Sequence, residues 1–599
     1  MFSRSFLAAS IAACSSFVFA AEATLPTTVV TATRTTQSVD DSLASVQVIT
    51  QEQLAQHPSQ DLGEILRFKA GIDVARLGGF GGQTSTFIRG TESNHTLVLI
   101  DGVRINSATS SQANIQHLTL DDIERVEIVK GAMSSLYGSE AIGGVINIIT
   151  KTPNKTSSQA TISAGSHKLV KGGFNQTFKQ NALSALINAN AIYTDGFPII
   201  EKNAQEYGYK NQGVNLKANY DLGFSQISVT ARQNKGTTEY HNFGFVTQDF
   251  ENQLISLHAQ GKINDTLNSQ IRLSQLKDHI DQNQSSSLAH TKQQQADWQN
   301  TFALSSEITL VAGITQTNTE AQYDNGFGTK YDKEQDNLAV YLQQQSQFSQ
   351  ISTQLSLRHE DYDSFGTHQT GTLALGYSLN NQHRIYANYG TAFKAPDLND
   401  LYGYGGNVNL KPEESTSVEV GSKHTIGQFK LNTAFYQYDI DNLISCVGGF
   451  PCQNINVDKA SIKGIELGVN WQQDGLMFGL NGGYNHAQDD MTKQDLLRRP
   501  RRSLSFTTGY NQEKWGISSE VLAKSHALDA PLFGSNTPRR LAGYAVANVN
   551  AYWQVVPSTK LRVSLENITD KTYSFAYSGA TTRYLATPFT ATISAEVKF

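Results

Sequence analysis

Cys446 and Cys452 lie six residues apart around Val447-Gly448-Gly449-Phe450-Pro451. In an exported chain, two cysteines this close across a Gly-Pro turn are suited to a disulfide that pins a loop. No histidine or second cysteine pair stands near them to complete a metal site. His241, His368 and His424 have no nucleophile or paired acid in a motif with them, so no hydrolytic constellation is formed and no catalytic residue is assigned. Gly78-Gly79-Phe80-Gly81-Gly82-Gln83-Thr84-Ser85 is rich in glycine and is read as a mobile loop. It precedes a strand rather than a helix, so it is not a dinucleotide loop. Arg498-Arg499-Pro500-Arg501-Arg502 concentrates cations. Guanidinium groups bind phosphate through paired hydrogen bonds, and Arg499, Arg501 and Arg502 are read as holding lipid phosphates. Thr27-Thr28-Val29-Val30-Thr31-Ala32 is a β-prone hexapeptide near the N-terminus. Such a segment can add as a strand to a partner's sheet edge, or serve as an ordinary first strand. In the first case backbone hydrogen bonds carry a pull, and a proline inside the segment breaks the coupling. No nucleotide-binding motif is present, so energy for any transport must come from a partner.

The elements around these residues are strands. The last eleven residues alternate strictly: Phe589, Ala591, Ile593, Ala595, Val597 and Phe599 are apolar, and the residues between them are polar. Only a β-strand has a side-chain period of two. A tilted strand of about 9–11 residues crosses a bilayer core. The same alternation recurs at 227–232, 384–389 and 561–566, with short turns such as 557–559 and long polar loops such as 403–414. Short turns on one side and long loops on the other are the pattern of an outer-membrane barrel. No apolar run of 18 or more residues follows the N-terminus, which excludes helical spans. A net charge of −6 speaks against nucleic acid as a partner. Residues 1–20 read as a signal peptide, with Arg4, an apolar stretch from Phe6 to Ala13, and Val18-Phe19-Ala20 at the cleavage point. Cys14 after Ile11-Ala12-Ala13 resembles a lipoprotein acylation site, but a signal cut there would be very short. Residues 21–37 form a periplasmic segment. Residues 38–152 form a small α+β domain, with strands at 97–100, 126–131 and 142–149 and helical spacing of Leu54, Leu62, Ile65 and Leu66 across Gln51–Phe68. Residues 155–599 supply about 22 antiparallel strands at roughly 20 residues each. A barrel that wide leaks unless filled, so the α+β domain is expected as a plug in the lumen.

The motifs carry a resemblance. Phe87-Ile88-Arg89-Gly90, Leu99-Ile100-Asp101-Gly102-Val103-Arg104, Ile123-Glu124-Arg125-Val126-Glu127 through Lys130-Gly131, and Tyr137 through Asn147 are familiar as a plug. Phe393-Lys394-Ala395-Pro396, Asn409-Leu410-Lys411-Pro412-Glu413 and Leu565 through Tyr573 are familiar from its barrel. The chain resembles the TonB-dependent outer-membrane receptors, and within them the cobalamin-transporting branch, from about Thr27 to Phe599. The resemblance implies that Thr27, Thr28, Val29, Val30, Thr31 and Ala32 are a TonB box. It implies ligand contacts at Gln83, Ser85, Glu92, Ser110, Ser111 and Arg498. Gln83 and Glu92 differ from the family's residues there, and Glu92 reads equally as a solvated turn carboxylate. The implied function is TonB-dependent uptake of cobalamin or another corrinoid by a monomer in the bacterial outer membrane, with TonB and outer-membrane lipid as partners. The alternative is a ferric-siderophore or haem receptor; no histidine between Phe393 and Leu410 counts against haem. The branch's calcium-binding aspartates are replaced by Pro198, Lys210 and Gln212. Calcium coordination needs carboxylates, so no metal or cofactor is expected.

Overall fold

From Ser157 onward the alternating segments form 22 antiparallel strands closed into one barrel in the computed structural model. It describes residues 28–59, 61–447, 452–532, 535 and 537–599. The signal segment, Thr27 and the loop between the two cysteines lie outside the described residues. Closure is made by the terminal strand. Thr590–Lys598 pairs with Ser157–Gly165, with Gln159 opposite Lys598 and Gly165 opposite Thr592. Ser158 and Phe599 exchange two backbone hydrogen bonds of 3.1 and 3.0 Å.

Each strand is the inverse of a soluble one. Ile593, Val597 and Phe599 face outward and are exposed, while Thr590, Thr592 and Ser594 on the other face are buried. The same holds around the wall. Leu216, Ile255, Leu273, Trp298 and Val340 point outward, and Asn188, Asn215, Thr230, Gln299 and Gln343 point inward and are buried. A lipid-facing apolar belt and a polar lumen follow directly from the period-two pattern. Two-residue turns at 181–182, 349–350, 381–382, 427–428 and 474–475 mark the periplasmic end. Long connections at 395–412, 525–543 and 567–589 mark the outer end.

The lumen is filled by the N-terminal domain. Its five-stranded sheet runs in the order Ser45–Thr50, Ile123–Lys130, Gly144–Thr150, Thr96–Ile100, Val103–Arg104, with one parallel pair between Thr96–Ile100 and Gly144–Thr150. A separate hairpin, Ile72–Arg76 with Thr84–Ile88, carries the glycine-rich loop. The helical reading of Gln51–Phe68 is corrected. Gln51–Gln56 is a helix closed by a Thr50/Gln53 capping box, and a second helix, Leu62–Leu66, starts at the Asp61 cap. Pro58 separates them, because the residue before a proline is driven out of the helical region, and His57 is extended. Leu62, Ile65 and Leu66 still share one core with Ile49, Val126, Ile128 and Ile146.

Candidate functional site

Three plug segments converge at the outer side. Ser85 at the base of the glycine-rich hairpin and Ser93 in the next turn both donate to Gln112 Oε1, at 3.5 and 3.2 Å. Ser93 Oγ also accepts from Thr86 N at 3.1 Å. The turn at 107–112 is tight: Ser111 N donates to Ser107 O at 2.8 Å, and Asn106 Nδ2 holds Ser111 O at 2.8 Å. Ser111 has φ +52 and is buried, while Ser110 is exposed. Gln83 is exposed; Ser85 and Glu92 are half-buried. Glu92 pairs with Arg499 at 2.7 Å, and Arg499 also donates to Gly90 O and Thr91 O, both at 3.2 Å. Arg499 is thus a buried clamp from the barrel wall onto the plug, not a lipid ligand. Its neighbour Arg498, at φ +64, donates Nε to Asp529 Oδ1 at 2.8 Å. Asp529 also accepts from Tyr577 N at 2.6 Å, so Arg498 ties three outer segments at the rim. The glycine-rich loop is packed rather than loose. Gly78 and Gly79 lie against Ile199 and Phe197, and a Cβ on Gly81 (φ +73) would stand 2.2 Å from the Tyr209 ring.

Side-chain and backbone contacts link the outer loops. Glu201 accepts two bonds from Arg583 (3.0 and 2.8 Å), and Leu585 N donates to Ile199 O at 2.8 Å. Glu239 accepts from Gly208 N at 2.6 Å. Among the described residues no group of three or more His, Cys, Asp or Glu is arranged to hold a metal ion. Pro198, Lys210 and Gln212 offer no carboxylate. Cys446 and Cys452 form a disulfide (Cα–Cα 5.5 Å) against Gly405. Beneath the outer surface, His117 of the plug stacks on Phe250 of the wall, with ring centroids 3.6 Å apart, and contacts Tyr209 OH at 3.2 Å. Burial pushes its pKa down to about 3, so it stays neutral.

At the inner end residues 28–32 are held in place. Thr28–Val29 pairs with Gln37–Ser38. Val29, Thr31 and Ala32 are buried. Glu127 Oε2, inside the plug sheet, accepts from Val30 N (3.0 Å), Thr31 N (3.0 Å) and Thr31 Oγ1 (2.6 Å). Asn147 Nδ2 donates to Thr31 Oγ1 at 3.0 Å, and Tyr137 OH donates to Thr31 O at 2.9 Å. Just beyond, Arg34 makes two 2.9 Å bonds to Asp297 of the wall and lies 4.6 Å over the Tyr341 ring. A segment near a chain end is free unless tied down; here it is tied down on both sides.

A plug domain in a 22-strand barrel, with a strand-forming peptide latched at its inner side, matches two family models. Residues 38–145 match the TonB-dependent Receptor Plug Domain, and residues 153–568 match the TonB dependent receptor-like β-barrel. The chain belongs to the TonB-dependent receptors. The receptor is 32% identical over 580 residues to a protein named vitamin B12 transporter BtuB from Photobacterium profundum, covering 93% of this chain and 94% of that one. It is 29% identical to another of that name from Vibrio vulnificus (strain YJ016), covering 93% of each. Among solved structures it superposes on the siderophore receptor PirA of Acinetobacter baumannii (TM-score 0.81, 18% identity, 92% of this chain and 98% of that one). It does so equally on the ferripyoverdine receptor of Pseudomonas aeruginosa (TM-score 0.81, 17% identity, 96% and 89%). At such identities the likeness is one of fold. The receptor is an outer-membrane protein and not an enzyme.

Of the residues singled out in the sequence, Ser85 and Ser110 bond Gln112 and Ser111 precedes it, Gln83 lies in the same hairpin, and Glu92 is held by Arg499, beside Arg498. Sequence reasoning missed Gln112, the Glu127 and Arg34 anchors of the box, and Arg89. Arg89 is fully buried, donating Nε to Glu466 at 3.0 Å and pairing with Glu419, while Lys130 Nζ reaches Glu466 at 2.7 Å. Phe87-Ile88-Arg89-Gly90 was visible as a motif, but its partners lie more than 300 residues away.

Proposed function

We propose that the receptor takes up cobalamin or a related corrinoid across the outer membrane, energised by TonB through the segment Thr27–Ala32. The observation that carries this is the identity of 32% across nearly the whole chain to a protein named a vitamin B12 transporter. The siderophore receptors of the same shape share 17–18%. The chemistry of the apices supports the reading. Gln83, Ser85, Ser110 and Gln112 offer neutral amide and hydroxyl groups, suited to the amide-fringed rim of a corrin. An anionic ferric chelate is better served by free cations, and here Arg498 and Arg499 are engaged by Asp529 and Glu92. In this cycle, ligand seats on the outer loops and apices, the Glu127 and Arg34 anchors let go, and TonB pairs with the released strand and pulls on the plug. Titration of the purified receptor with cyanocobalamin, a ferric siderophore and haem tests the assignment. Saturable binding of the corrinoid is expected; no corrinoid binding at micromolar concentration, with either rival bound, refutes it.

A further inference from the structure

The outward face of the strands Gln453–Gln473, Leu476–Asp489 and Arg502–Asn511 carries a cationic row at the upper edge of the lipid belt. The facing is set by the alternation. Ile462, Glu466, Ala487 and Ser505 point inward, where Glu466 holds Arg89 and Ser505 donates to Phe68 O at 2.6 Å. Lys463, Ile465, Tyr484, His486, Arg502 and Leu504 therefore point outward. Register places Lys463 opposite His486, and Tyr484 opposite Arg502. Arg501 in the adjoining loop reaches His486 Nε2 at 3.2 Å. Directly below, Phe435, Ile465 and Leu504 are exposed to lipid. The row thus sits where the apolar belt ends, on the side of the long loops.

We propose that this row, Lys463, His486, Arg501 and Arg502, binds the phosphate of an anionic outer-leaflet glycolipid whose acyl chains lie on Phe435, Ile465, Tyr484 and Leu504. Three of the carboxylates nearby have cations of their own: Asp495 takes Arg501 at 2.6 Å, Asp441 pairs with Lys459, and Asp490 with Lys493 at 3.5 Å; Asp439 accepts from Gln437 at 2.9 Å. Among the described residues, Lys463 and Arg502 have no carboxylate within ion-pair distance. The opposite wall makes the contrast. There Lys277 faces Lys292 and His279 faces His290 at a similar height, but Glu320 takes Lys292 at 2.7 Å, Asp281 takes His290 at 2.8 Å, and Glu251 stands opposite His279. On that wall Lys292 is compensated within the protein and both histidines have a carboxylate beside them, while Lys277 is without an ion pair among the described residues. A cationic row left short of carboxylates at a headgroup boundary is complementary to phosphate, and a guanidinium binds phosphate in paired hydrogen bonds.

The test uses the full receptor in detergent and native mass spectrometry. The probes are bis-phosphorylated lipid A, its dephosphorylated form and inorganic phosphate. The variants are K463Q/R502Q and, as a control, K277Q/K292Q. Heat-resistant migration on an unheated gel checks that each barrel is intact. The wild-type and control proteins retain lipid A. K463Q/R502Q loses roughly 10- to 30-fold in affinity, about a factor of five for each cation removed. The dephosphorylated lipid binds every variant alike, and inorganic phosphate alone leaves no adduct. Undiminished binding of lipid A by an intact K463Q/R502Q barrel, or an equal loss in the control, overturns the proposal. So does wild-type retention of the dephosphorylated lipid at full affinity, or a phosphate adduct without lipid.

Discussion

Glu127 is the best place to test whether the proposed TonB box is latched or merely resting. Glu127→Ala removes the acceptor of three hydrogen bonds, from Val30 N, Thr31 N and Thr31 Oγ1. Net of exchange with water, a hydrogen bond to a charged group is worth about 1.5–3 kcal/mol, and because all three donors share the one oxygen Oε2, about 1–1.3 kcal/mol each is the better figure. The sum is about 3–4 kcal/mol, which raises the released population on the order of 10²- to 10³-fold. Arg125, the carboxylate's other partner, keeps Glu124 at 2.8 Å, so the substitution does not strand a cation. The assay is maleimide labelling of Ala32→Cys, a buried position in the docked state; Cys446 and Cys452 are joined to each other and do not compete. When reclosing outpaces labelling, the rate follows the open population. Thr31→Val removes the hydroxyl bonds to Glu127 and Asn147 but keeps both backbone bonds, and sits between wild type and Glu127→Ala, roughly tenfold faster than wild type. Equal labelling rates in all three proteins, with the plug still resistant to protease, would refute the latch.

Val29→Pro removes a donor from the strand that TonB is expected to pair with, so transport falls to background while corrinoid binding measured on purified protein stays within about twofold. His117 has a lower pKa in place, about 3, than in an unfolded chain, so release takes up a proton. Plug stability is therefore full above about pH 6.5 and declines as pH falls from there toward 3, by up to about 1.4 kcal/mol per unit. His117→Phe flattens that slope in urea unfolding followed by hydrogen exchange of the plug. Chelation by EDTA leaves corrinoid affinity unchanged, since the loops are tied by Glu201–Arg583 and Glu239; a tenfold loss on chelation would show a bound cation. Cys446→Ser with Cys452→Ser destabilises the Gly405 contact by about 2 kcal/mol, seen as earlier protease cleavage within 398–411.

What the sequence made legible is what local periodicity controls. A period of two over about ten residues specifies which face meets lipid, and Phe589–Phe599 reads directly as such a strand, which closes the barrel on Ser157–Gly165. The disulfide was legible because its partners are near in sequence. Two of the gaps share one cause, distance along the chain, and the third is local. Arg499 looked like a surface cation because its partners, Gly90, Thr91 and Glu92, lie some 400 residues earlier. The anchors of Thr27–Ala32 were not legible because Glu127 and Asp297 are distant. The helix Gln51–Phe68 looked continuous because apolar spacing carried across Pro58, where the backbone cannot follow.

The plug–wall interface explains how a filled barrel can also open. It is built from ion pairs as much as from apolar packing: Arg89 with Glu419 and Glu466, Asp122 with Arg232, Asp73 with Lys524, Asp101 with Lys217, Asp121 with Lys171 and Arg34 with Asp297, beside a hydrogen bond between His95 and Glu413. Desolvating a buried pair offsets most of its Coulomb attraction, so such contacts fix position more than they add stability. Once water enters the seam, both partners are solvated again and the seam costs little to part, whereas an apolar seam of the same area would resist at every step. The same pairs are costly to break one partner at a time, which keeps the plug in register at rest. A pull that starts at the box and proceeds strand by strand, with water following, meets that resistance locally rather than all at once. The latch at Glu127 stands in the sheet strand Ile123–Lys130, whose last residue, Lys130, shares Glu466 with Arg89. Tension on the box therefore reaches the Arg89 cluster through a single strand, and the polar seam is the part of the molecule built to yield to it.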